Sequence, residues 1–152
     1  MRTSMAGAWG GLAGGLLVSA AMIAGRRAGL LHKTLAEHGE DWLDRLFDAR
    51  RRAGPHAVTI AEQTNHLATS AAFGWGYGLL RPHVRWPATV LGALYGSALY
   101  AINIVGIAPR IGMTRGESRV STGVSAQRLA MHVLFGVATA AIAESLMKPS
   151  RH

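Results

Sequence analysis

The sequence predicts an all-α fold: an integral membrane four-helix bundle with an interfacial amphipathic helix between the first and second spans. Three observations predict it. Long apolar runs cover residues 4–25, 63–80, 86–108 and 129–147, each close to the length of about 20 residues that crosses a hydrocarbon core of about 30 Å. Within them, glycines recur at four-residue spacing, the pattern of helices that approach closely in lipid. The arginines and lysines gather at the ends of these runs.

Composition agrees. Hydrophobic residues make up 49% of the 152 residues, yet aromatics only 7%, while glycine reaches 19 residues. That bias suits close helix contact rather than a water-soluble core filled by large side chains. One domain, residues 1–152, is expected at this length. The net charge of +8 does not point to nucleic acid, because the basic residues form no stripe with interleaved aromatics. Without cysteine the chain has no disulfide, thiolate metal site or iron–sulfur ligation.

In chain order, the first run is free of charge from Thr3 to Gly25. Gly7, Gly11 and Gly15 leave one side nearly bare backbone, with Gly10 and Gly14 as a second pair, so this helix should pack tightly on a neighbour or on a second copy. Its length and glycine content fit a retained span better than a cleaved leader, and Arg26-Arg27 reads as a membrane stop. From Ala28 to Arg52 the pattern turns amphipathic, with Leu31, Leu35, Trp42, Leu46 and Phe47 on one stripe. Trp42 suits headgroup depth, and Arg50-Arg51-Arg52 suits lipid phosphates. Glu37, His38 and Asp41 read as a solvated face rather than a metal site.

The second run carries the most informative stretch, His66 to Gly78. His66, Ser70, Gly74 and Gly78 share one helical face with a hydrogen-bonding end and a small-residue end. The third run opens at Trp86-Pro87, and Gly92, Gly96 and Asn103 fall on one face. Residues 110–128 read as a mobile Gly/Ser/Thr/Arg loop. The fourth run repeats the design, with His132, Gly136, Ala140 and Glu144 at four-residue spacing.

Four spans put the first and third loops on one side, with eleven of the sixteen Arg and Lys, which should be cytoplasmic. The same alternation brings His66, Asn103 and His132 to one depth. The sequence therefore nominates a polar intramembrane cluster of His66, Ser70, Asn103 and His132, a second polar site at Glu144, and helix-packing positions at Gly7, Gly11, Gly15, Gly74, Gly78, Gly92, Gly96 and Gly136. The cluster reads first as hydrogen bonds that tie helices together in a structural or partner-binding membrane component. Two alternatives follow from the same residues: paired axial ligands for haem, or titratable stations of a small transporter or proton conductor using Glu144 as well. No motif of an enzyme, a metal site or a resident cofactor is present. The partners expected are the lipid bilayer and further copies or a larger complex, not nucleic acid.

One resemblance rests on His66-x-x-x-Ser70-x-x-Phe73-x-x-Gly76-Tyr77, then Trp86 leading to Gly92-Ala93-Leu94, then Gly106-Ile107-Ala108-Pro109, with His132 and Glu144 following. Over residues 62 to 144 the chain resembles the YagU-like small inner-membrane proteins of bacteria. The resemblance implies a multi-pass protein of the bacterial inner membrane and brings no reaction, substrate or cofactor. The chain departs from that pattern in its shorter length and in the segment between the first two spans.

Overall fold

The structure is a computed structural model that describes residues 2–31 and 35–148, without the side chains of residues 35–37. Every regular element among them is helical. The elements are α1 (Thr3–Arg27), α2 (Leu35–Phe47), α3 (Ala49–Ala53), α4 (Pro55–Leu80), α5 (Ala88–Arg110) and α6 (Thr122–Met147), with single 3-10 turns at Arg81–His83 and Glu117–Arg119. Three helices, α1, α5 and α6, are long and apolar enough to cross a membrane. The long helix α4 is not among them, since Gln63, Asn65, His66 and the polar turns from Pro55 dilute its apolar half.

Helix α1 packs on α4 with one face and on α6 with another, and α5 packs on the far side of α6. Glycine makes these seams. A Cβ on Gly11 would stand 2.6 Å from the Gly74 Cα, and one on Gly78 would stand 2.7 Å from the Ser4 Cα. Gly7 and Gly15 complete that seam against Gly74, Gly78 and Ser70. The face of α1 carrying Gly10 and Gly14 meets Thr139, Ala143 and Phe135 of α6. Between α5 and α6, Gly92 and Gly96 lie against Gly136, Ala140 and the His132 carbonyl. All eight glycines nominated for packing are buried at a seam. The ridge Gly7, Gly11, Gly15 is therefore covered within the chain by α4 and is not free for another copy.

The seams converge on a core of Ala6, Tyr77, Leu91, Ala140 and Ala143. Each helix then changes character along its length. Gly15 gives way to Val18 and Met22, Gly74 and Ser70 to His66 and Glu62, Gly96 to Leu99 and Asn103, Gly136 to His132 and Arg128. Small side chains let backbones touch at one end, and larger ones hold them apart at the other.

Three boundaries differ from the sequence reading. Helix α4 begins at Pro55, two turns before the apolar run, because proline suits a first turn. Helix α6 begins at Thr122 rather than residue 129, with the Ser121 hydroxyl accepting from the Val124 N–H as an N-cap. Residues 122–128, expected as mobile loop, are thus helical. The amphipathic segment is also not one helix: Asp48 stands at φ +51° and separates α2 from α3, a left-handed conformation that Asp tolerates.

Helix α2 lies on the end of the bundle rather than apart from it. The Trp42 indole donates to the Ile111 carbonyl at 2.8 Å, and Arg45 donates to the Gly112 carbonyl at 3.0 Å. Arg50 is held by Glu40, Asp41 and Asp44 at 3.5, 3.0 and 3.5 Å, and Arg51 pairs with Asp48. Two of the three arginines expected to meet lipid phosphates are therefore paired within the segment.

Candidate functional site: a polar cavity at the wide end of the bundle

Where the helices diverge they line a half-open cavity of about 300 Å³. All four long helices wall it. Val18 and Met22 come from α1, Glu62, His66, Ser70 and Phe73 from α4, Leu99, Asn103, Ile104 and Ile107 from α5, and Arg128, Met131, His132 and Phe135 from α6. Val18, Leu99 and Phe135 close its floor against the packed core. The rim includes Ile111 and Met113 from the loop after α5, and a Cβ placed on Gly39 of α2 would come within van der Waals contact of Met113 and Glu62.

The wall from α5 is π-helical over Tyr100–Ile107. The cause lies in the sequence. Pro109 has no N–H to offer the carbonyl four residues earlier, and its ring crowds that carbonyl. Lengthening the turn relieves the clash, as the Ala108 N–H bond to the Asn103 carbonyl five residues earlier shows. The wider helix presents Asn103, Ile104 and Ile107 to the cavity together. An apolar run of this kind carries no periodicity signal for π geometry, and Pro109 is the one residue that could have suggested it.

All four residues of the nominated polar cluster line this cavity. Their hydrogen bonds, however, do not tie the helices together. The Asn103 side-chain amide donates to the Leu99 carbonyl of its own helix at 2.9 Å, and His132 Nδ1 lies 2.8 Å from its own Arg128 carbonyl. Only His66 reaches another helix, with Nε2 3.4 Å from the Gly15 carbonyl, a long contact. Ser70 is packed against Gly11 and Gly15.

The sequence reading missed the charged part of the wall. Arg128 is 7% exposed and forms an ion pair with Glu117, whose other carboxylate oxygen accepts from the Tyr100 hydroxyl at 2.7 Å. The His132 ring stands edge-on to Tyr100 at 5.7 Å. Burial alone would raise the Glu117 carboxyl, but hydrogen bonds from Tyr100, Ser125 and Arg128, with the Arg128 charge, hold it below the usual carboxylate range. Glu62 at the rim goes the other way: burial pushes it up and Glu40 adds to the rise, against a hydrogen bond from Gln63. A helical spacing of four between Arg128 and His132 was the signal that could have placed Arg128 on this face.

Glu144 lies at the narrow end, twelve residues from His132 on the same helix, or about 18 Å away. It accepts from Arg81 Nε at 2.5 Å, while Arg81 also donates to the Val84 carbonyl at 2.6 Å. It is thus separate from the cavity and staples the link between α4 and α5 to the end of α6. Among the described residues no group of three His, Asp or Glu side chains is placed to hold a metal ion; the Glu37 side chain lies outside those described.

Comparison with protein-family models, curated proteins and solved structures finds no match for this chain.

Proposed function

We propose that this chain is a multi-pass four-helix membrane protein, α4 included, whose wide end binds a small, mainly apolar molecule. The observation that carries the reading is that His66, Asn103 and His132 wall one cavity while lending almost nothing to helix–helix bonding. Polar groups at that depth are costly without a use. A volume of about 300 Å³ stands at the lower end of the range of small-molecule sites, about 300–1,000 Å³. Phe73, Met131 and Phe135 supply the apolar contact that such sites use. The resemblance to YagU-like proteins supports placing the bundle in a bacterial inner membrane, and the eleven Arg and Lys in the loops before α4 and after α5 support a cytoplasmic side for those loops.

A conducting path using Glu144 finds less support, because the packed layer of Tyr77, Leu91 and Ala140 lies between it and the cavity. Haem between His66 and His132 predicts a Soret band in the purified protein, which this reading does not. The test is photolabelling in lipid nanodiscs with a ten-carbon alkyl diazirine. The expected result is saturable labelling mapped to Leu99, Ile104 and Phe135, lost in Ile104→Trp. Labelling confined to exposed positions such as Leu94 and Ile102, without saturation, contradicts the reading.

A further inference from the structure

We infer that the cavity selects a neutral amphiphile with a hydroxyl head, an inference that rests on the ligand-binding reading above. The hydrogen bonds already made decide which groups are left over. A carbonyl only accepts, so the His132 contact to the Arg128 carbonyl at 2.8 Å puts the proton on Nδ1 and leaves Nε2 as an acceptor. The His66 contact to the Gly15 carbonyl, at 3.4 Å, is too long to fix which ring nitrogen carries the proton. Asn103 directs one side-chain N–H to the Leu99 carbonyl, which leaves its second N–H to donate and its Oδ1 to accept. His132 Nε2 and Asn103 Oδ1 call for a donor and the second Asn103 N–H for an acceptor; one hydroxyl of an alcohol or phenol supplies both, whereas an ether or ester only accepts.

Charge excludes the acidic alternatives. Arg128 is the one Arg or Lys among the lining residues, and its partner is Glu117. No unpaired Arg or Lys among the lining residues is left to neutralise a carboxylate or phosphate, and Glu62 at the rim repels one. A buried polar site discriminates most strongly against ligands that leave its groups unpaired.

The experiment is competition against the alkyl diazirine in nanodiscs by 1-decanol, decyl methyl ether and decanoate, with concentrations expressed per lipid. Decanol is expected to displace the probe at about 10-fold lower concentration than the ether, with decanoate weakest. In both His132→Phe and Asn103→Leu the preference for alcohol over ether falls to about 2-fold or less. Equal competition by alcohol and ether, or strongest competition by decanoate, overturns the head-group inference while the labelled cavity stands. Absence of saturable labelling defeats the cavity reading and this inference together.

Discussion

At the narrow end of the bundle Gly7, Gly11 and Gly74 bring α1 and α4 to backbone contact, whereas along the same helices Val18, Met22 and His66 stand around open space. The two regions share helices and differ in the side chains on the facing surfaces, small at one end and larger and more polar at the other. The difference teaches that polar residues in an apolar helix need not be the glue. Here close glycine packing supplies contact between helices, which in lipid must come from van der Waals fit, and the polar residues are left to face a cavity.

The largest expected effect comes from breaking the narrow end. Gly11→Ala places a methyl where the Gly74 backbone N and Cα already stand, at 2.8 and 2.6 Å, and neither can turn aside. It should cost about 3 kcal/mol or more, or prevent folding, as read by thermal unfolding in mild detergent. At the wide end only the ion pair should matter comparably. Arg128→Ala strands the Glu117 carboxylate, 12% exposed, and should cost about 3–5 kcal/mol, while Arg128→Met with Glu117→Gln recovers most of it.

Two carboxyls then predict opposite pH profiles. Glu117 is held down in the folded protein, so the stability it contributes is present above its unfolded value of about 4.3 and lost as pH falls through its lower folded value. Glu62 is pushed up, so its favourable contribution is present below about 4.3 and lost as pH rises through its higher folded value. Glu62→Gln should therefore raise the neutral-pH unfolding midpoint, and Glu117→Gln should lower it. The smallest effects belong to the cavity wall: Asn103→Leu and His132→Phe should each change stability by about 1 kcal/mol or less.

Much of this arrangement was legible in the sequence, for a physical reason. Four-residue glycine spacing has one geometric meaning on a helix, so Gly7, Gly11, Gly92 and Gly96 could be placed at seams before any coordinates. The alternation expected of four spans put His66, Asn103 and His132 at one depth, and all three line one cavity. What the sequence did not reveal depended on distances between helices. Periodicity marks which face a residue shares but not whether the facing helix is near, so the polar cluster read as a set of bonds across helices. The π-helical turn, the burial of Arg128 and its pairing with Glu117 in a segment that read as loop follow from tertiary contact. Helix α2 was legible as amphipathic, but its docking through Trp42 on the Ile111 carbonyl was not.

The most direct test of the central claim is a double-mutant cycle on unfolding free energy with Asn103→Leu, His132→Phe and the pair together. If glycine seams hold the helices and the polar groups wall a cavity, the two changes add and their coupling is near zero, within about 0.5 kcal/mol. A coupling of about 1 kcal/mol or more would mean that Asn103 and His132 bond α5 to α6 after all, and the cluster would return to being helix glue.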